Sequence, residues 1–454
     1  MASIDIEQID EQFVFTPKLK KGIFTIFGIG TVLMIIGIVL LVASGDGHDH
    51  AAIGANADVV AQTSENAVQA EGGEHHAISW TTRIWTNLWI NNVFFTGLAL
   101  IGIFWVAIQY VANAGWSVVV NRIPLQFAKF LPISFGLMLV VFIIANHDIF
   151  HWTHTYLYDA NGAEFDEIID GKKGFFFNPF IGDNEIPSSI PIFYYLRMVF
   201  FFVGWILISN FIRKESLAED INGGLRHYRR VVRLSGAFIV FFAVSSSISA
   251  WDWVMSIDTH WFSTMFGWYT FASWFAAGLA AITLMVVFLK ESGYLKVVNE
   301  NHLHDLGKFV FAFSIFWTYI WFSQFLLIYY ANIPEETVYF LERLQSPFYG
   351  KFIIINLIFN FFFPFLALMT RDSKRKMAIL KIVCVVVLLG HWLDFYLMIT
   401  PAVLRDSGSL GFLEIGLVMM YLAAFLFVVF NNLSKVKLIA PNHPMLQESL
   451  HHNT

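Results

Sequence analysis

The 454-residue sequence is poor in charge and almost without cysteine. Asp, Glu, Lys and Arg make up 14% of it, against roughly 25% in an average soluble domain. A chain with about half the usual solvated side chains cannot cover a water-exposed globule of this size. Its one cysteine, Cys384, excludes a disulfide framework, a Cys-ligated iron–sulphur cluster and a CxxCH haem attachment within the chain. A Gly-rich phosphate loop is missing, which argues against direct nucleotide hydrolysis. The formal net charge of −6 gives no reason to expect a nucleic-acid partner.

Apolar residues dominate instead: 57% of the chain is hydrophobic, with 49 Phe and 15 Trp. Apolar runs of about 20 residues recur ten times, near 22–44, 86–112, 130–150, 191–213, 234–256, 263–289, 309–331, 352–370, 378–400 and 409–431. They predict an all-α polytopic membrane protein with about ten transmembrane helices. The expected organisation is a tail over 1–21, a membrane domain over 22–431 with long loops at 45–85 and 151–190, and a tail over 432–454. The first run follows a polar start and lacks a small-residue cleavage motif, so it reads as a span and not as a cleaved signal.

Lys and Arg orient the spans. With the N-terminus inside, 21 of the 28 basic residues fall on the inner side, including Lys18, Lys20, Lys21, Arg226, Arg229, Arg230 and Arg233. Both termini are therefore expected in the cytoplasm. The outer loops are acidic, with Asp46, Asp49, Asp58, Glu65, Glu71, Glu74, Asp159, Glu164, Asp166, Glu167, Asp170, Asp183 and Glu185. They read either as solvated loop or as a docking face for a basic or large extramembrane partner.

A charge inside hydrocarbon costs roughly 2.5–3.5 kcal/mol on insertion scales, so the exceptions are informative. Arg197 lies in the fourth span, Asp252 in the fifth, His391 and Asp394 in the ninth, and Glu414 in the tenth, while His147 and Asp148 close the third. All fall in the outer half or near the middle. Ser245, Ser249, Asp252 and Ser256 share one helical face, as do His391 with Asp394 and Asn356 with Asn360. Two readings stand side by side. Either these groups pair and hold the bundle together, with Arg197 meeting Asp252 or Asp394, or they line a proton path or polar ligand site. The proton-path candidates are Asp252, His391, Asp394, Arg197, Glu414 and Ser249.

A b-type haem needs two facing histidines at matched depth, and only His391 is deep in a span. No metal or haem is expected in this chain. Trp and Tyr at the span ends are most simply interfacial belts. A quinone ring between such aromatics is the alternative, with His147, Asp148 and Trp251 as contact candidates.

Three segments carry a resemblance: SAWDWVMSIDTHWFSTMFGWY from Ser249 to Tyr269, HLHDLGKFVFAFSIFWTYIWFSQFLLIYYANIPEETVYF from His302 to Phe340, and GHWLDFYLMITP from Gly390 to Pro401. Over about 230–405 the chain resembles the ActF-type membrane subunits of alternative complex III, a bacterial quinol:cytochrome c oxidoreductase, within the NrfD/PsrC-like superfamily. The resemblance implies ten helices, eight of them in two four-helix bundles, in the bacterial inner membrane. It implies partner subunits that carry c-type haems and iron–sulphur clusters, an ActC-like sister subunit, quinol oxidation at the outer face, and proton movement through polar residues. Asp252 falls in the matching WDW stretch, and His391 and Asp394 in HWLDFY; all three carry over as polar-path residues. The leading expectation is a non-haem subunit of such a complex, with no cofactor of its own. A purely structural membrane anchor and an independent secondary transporter are the competing classes. The in-span prolines Pro132 and Pro364 do not form the matched pair expected of a transporter's two halves.

Overall fold

The computed structural model describes residues 10–43, 79–182 and 185–453. The acidic positions from Asp46 to Glu74, Asp183 and the pair His75–His76 lie outside the described residues. Among the described residues, ten helices are long and apolar enough to cross a membrane: α1 Pro17–Ala43, α2 Trp80–Val111, α3 Arg122–Ile149, α4 Ile192–Asn222, α5 Leu225–Ile257, α6 Phe266–Glu291, α7 Glu300–Ala331, α9 Tyr349–Ala367, α10 Met377–Ser407 and α11 Phe412–Leu433. A shorter helix, α8, runs from Pro334 to Gln345 between α7 and α9. No strand occurs among the described residues, and the chain is an all-α polytopic membrane protein.

Helices α2–α5 pack as one four-helix bundle and α6, α7, α9 and α10 as a second, joined where α2 and α5 meet α6 and where α2 meets α10. Helices α1 and α11 form an antiparallel pair beside them, with α11 against α2. In its most apolar stretch α2 is 94% buried whereas α1 is 11% buried, so α2 is the axial post and α1 lies on the outside of the bundles. Close approach at the bundle seam requires glycine. A Cβ on Gly97 would stand 1.9 Å from Trp274 Cδ1, and one on Gly278 would stand 2.2 Å from Ile101 Cγ2. In lipid, where the surrounding chains are as apolar as leucine, such small-residue contacts supply the packing attraction between helices.

Hydropathy located every span but not every helix end. The expected loop between the fourth and fifth spans is helical almost throughout: α4 continues to Asn222 and α5 begins at Leu225. The turn is confined to Gly223 and Gly224, both at positive φ (60° and 75°), a conformation that costs a side chain but not glycine. Charged residues beyond the apolar zone sustain the helices by pairing across the hairpin, with Glu215 2.7 Å from His227 and 3.2 Å from Arg230.

Helix α8 also falls outside the expected spans. Pro334 at its first turn and Glu335 and Glu336 beside it are favourable at a helix N-terminus. Its buried face presents Tyr339, Phe340 and Arg343. The 10–16 segment and the 434–453 segment close the opposite end, tied by the Gln12–Lys437 bridge and by Leu438 N–H donating to Glu11 O at 2.9 Å.

Candidate functional site

The buried acids inside the apolar runs, Asp252, Glu414 and Asp394, separate into two clamps and one cation-free acid. In the first clamp Asp252, at the end of α5, accepts two parallel hydrogen bonds from Arg197 on α4 (Nε–Oδ2 2.9 Å, Nη2–Oδ1 2.8 Å). The third guanidinium nitrogen donates to Phe175 O at 2.5 Å, and the group lies 4.1 Å from the Phe175 ring centre. Arg197 thus meets Asp252, not Asp394. The serine face of α5 serves packing. Ser245 Oγ accepts from Trp205 Nε1 at 2.9 Å and Ser256 Oγ donates to the Asp252 carbonyl at 2.5 Å. Ser249 is buried with its hydroxyl unpartnered.

In the second clamp Glu414, at the start of α11, is fully buried and bound by Arg83 (Nε–Oε1 2.8 Å, Nη2–Oε2 2.9 Å). Asn87 Nδ2 donates to Oε1 at 3.0 Å and Gly411 N–H to Oε2 at 2.7 Å. The carboxylate fastens α11 to α2 and caps its own helix. A bidentate guanidinium on each acid leaves neither readily available to exchange a proton.

Asp394 is different. It sits on α10, fully buried, and accepts from all three other helices of the second bundle: Tyr269 Oη on α6 (2.5 Å), Trp317 Nε1 on α7 (2.8 Å) and Asn356 Nδ2 on α9 (2.9 Å). Ser273 also faces it, and no basic residue among the described residues pairs with it. One turn away His391 is fully buried, with Nδ1 3.0 Å from Ser273 Oγ and Trp317 edge-on at 5.5 Å. Asn360 donates to Asn356 Oδ1 at 2.7 Å. It lies in a π-turn over Ile358–Phe362, a local widening often found at functional sites. A Cβ on Gly390 would come 2.1 Å from Asn360 Oδ1, so α10 carries no side chain there.

The acid therefore faces N–H and O–H donors, with few lone pairs turned towards it. Its N–H donors hold a carboxylate, and the Tyr269 and Ser273 hydroxyls can turn to accept from a protonated carboxyl, but the pocket offers poor ligation to a metal cation. Several buried polar atoms around it lack partners: His391 Nε2, Asn360 Oδ1, Ser314 Oγ, Thr270 Oγ1 and Trp274 Nε1. Unpartnered buried polar atoms are the usual places for internal water.

From Asp394 a polar run extends toward the end of the bundle that bears residues 151–190. Tyr269 is followed by Tyr339 and Arg343 on α8, and Arg343 Nη1 is 3.7 Å from the partly exposed Asp258. Arg343 is 4% exposed and is placed by Pro401. Proline has no N–H for the carbonyl four residues earlier, and Arg343 Nε donates to that carbonyl, Leu397 O, at 3.2 Å. Its Nη2 reaches Met398 O at 3.2 Å, and its guanidinium lies 3.4 Å from the Tyr339 ring centre. In the other direction the polar groups stop: α10 continues with buried Val387, Cys384, Val383 and Leu380. The site opens one half of the bundle and leaves the other apolar.

The remaining candidates lie elsewhere. His147 Nδ1 is 2.9 Å from Thr153 Oγ1, and Asp148 accepts from Thr82 Oγ1 at 3.2 Å, so both fasten the end of α3. Trp251 lines a cavity of about 250 Å³ with Phe175, Phe176, Trp261, Phe262 and Lys172, which His147 and Asp148 do not reach. Beside it, burial pulls the Lys172 ammonium below its ordinary range, only partly offset by Asp166 and Asp258. Burial alone would raise the Asp166 carboxyl. His260 at 2.5 Å and the amides of Ile169 and Ile168 outweigh that and hold it below the usual carboxylate range.

Sequence reasoning reached Asp394, His391, Asn356 and Asn360 but missed Tyr269, Trp317, Tyr339, Arg343 and Arg83. The position of Pro401 four residues after Leu397 was the available signal for an outside donor to that carbonyl.

The fold and site define a ten-span helical membrane protein with a buried, cation-free acid at one bundle's centre. No protein-family model matches the chain, and no curated protein matches it.

Proposed function

We propose that this chain is an integral membrane subunit of a quinol:cytochrome c oxidoreductase of the alternative complex III type, and that its second bundle conducts protons between the outer face and Asp394. The carrying observation is the contrast among the three buried acids that lie inside the apolar runs. Asp252 and Glu414 are each neutralised by an arginine, whereas Asp394 has only neutral donors around it. A carboxyl in that setting can take up or release a proton without leaving a bare cation behind.

In this reading Asp258, Arg343 and Tyr339 form the outer entry, Tyr269 passes the proton, and His391 with Asn360 marks the inner limit. Both termini face the cytoplasm, in the bacterial inner membrane. Haems and iron–sulphur clusters reside on partner subunits, beside an ActC-like sister. The 250 Å³ aromatic cavity at Trp251 supports contact with a quinol ring near the outer face. The resemblance over about 230–405 supports the assignment to this complex.

Asp394→Asn in the assembled complex tests the path. The expected result is an intact complex with quinol:cytochrome c activity and fewer protons translocated per electron. An unchanged proton-to-electron ratio refutes it. A purely structural anchor is the second reading, favoured by the Arg197–Asp252 and Arg83–Glu414 clamps. It expects Asp394→Asn to reduce assembly and to leave the ratio of whatever assembles unchanged.

A further inference from the structure

The α4–α5 hairpin carries more cation than it pairs. Glu215 takes His227 and Arg230, and Arg213 donates to Gln126. Lys214, Arg226, Arg229 and Arg233 are exposed and form no ion pair with any described residue. Three of them lie at i, i+3 and i+7 on α5, which is one helical face. That face continues as an exposed apolar strip, through Ala237 to Val240 (70% exposed) and Val244 (58%). Gly236 beside it has open space where a side chain would stand. The fourth cation is level with these: Glu215 meets Arg230 and Gly204 faces Phe241, so in this antiparallel register Lys214 is opposite Val231.

We infer that this stripe is a binding site for an anionic phospholipid, with the phosphate among Arg229, Arg233, Lys214 and Arg226 and an acyl chain along Ala237, Val240 and Val244. Charge complementarity selects the head. The step from arginine to apolar side chains over seven residues, about 10 Å of helix, selects a molecule that is anionic at one end and hydrocarbon at the other. A charge bias that only oriented the spans would need these residues near the loop, not aligned with the lipid-facing strip. The inference stands independently of the functional reading above.

The test uses the full chain in whatever complex it is extracted with. Phosphatidylglycerol, phosphatidylcholine or inorganic phosphate is added after delipidation, and retained lipid is read by native mass spectrometry. Phosphatidylglycerol is expected to be retained in preference to phosphatidylcholine, with no competition from inorganic phosphate. The exposed side chains of Arg229 and Arg233 can be replaced without loss of packing. At about 1 kcal/mol per basic residue at an anionic surface, Arg229→Gln with Arg233→Gln should weaken retention about thirty-fold. Equal retention of the two lipids, an unchanged double variant, full competition by phosphate, or occupation of the stripe by a protein subunit would each overturn the assignment.

Discussion

Neutralising Asp252, Glu414 and Asp394 in turn separates clamps from proton site by stability alone. Asp252→Asn leaves the Arg197 guanidinium, whose side chain is 10% exposed, with a neutral amide oxygen, one carbonyl and two aromatic rings in place of a carboxylate. Removing one partner of a buried ion pair typically costs about 3–5 kcal/mol, so a loss near 3 kcal/mol is expected here. Glu414→Gln strands Arg83, which is 14% exposed and can turn toward water. About 1–2 kcal/mol is expected, and the lost cap on α11 contributes part of it. Asp394→Asn strands no charge, because its partners are a phenol, an indole and an amide. The new amide keeps one acceptor oxygen, so the cost should be about 1 kcal/mol. Thermal unfolding of the three variants in one detergent, followed by tryptophan fluorescence and size exclusion, gives the order. The expected order of destabilisation is Asp252→Asn, then Glu414→Gln, then Asp394→Asn. If Asp394→Asn is as damaging as Asp252→Asn, Asp394 is a packing acid and the argument from its missing cation fails.

Arg343→Met should cost about 2–4 kcal/mol, because Leu397 O and Met398 O lose their donors in a buried setting. Pro401→Ala restores an N–H within reach of Leu397 O and should recover part of that loss in the double variant; strictly additive costs would refute the coupling. His443, in the segment after α11, is 8% exposed, and burial, then Arg122, pushes it down to about 4. A folded value below the ordinary 6.5 means that the released segment binds the proton more tightly. Docking is therefore complete above pH 6.5 and weakens as the pH falls toward 4. Hydrogen exchange over 440–450 should accelerate across that window in the wild type and lose this step in His443→Gln; an identical step in both assigns the effect elsewhere.

The spans were legible because hydrocarbon selects composition directly, and each apolar run became a helix. Helix ends were not, because α4, α5 and α7 continue into charged sequence where hydropathy is silent; hairpin pairing sustains α4 and α5, and an Asn299–His302 capping box starts α7. Asp394 with His391, and Asn356 with Asn360, were legible as periodic polar positions in apolar runs. Their donors were not, since Tyr269 and Trp317 read as ordinary aromatics until the fold brings them to a carboxylate. Arg83 lay before the apolar run and counted as loop, yet α2 begins at Trp80 and carries it to Glu414. The depth argument allowed Arg197 two carboxylates; only packing of α4 on α5 settles on Asp252.

The assignment to a quinol-oxidising complex is tested most directly by tagging the chain, extracting it in mild detergent and identifying what copurifies. The expected partners stain for c-type haem and carry iron–sulphur clusters, with quinol:cytochrome c reductase activity in the same fraction. A chain that emerges alone and without that activity contradicts it.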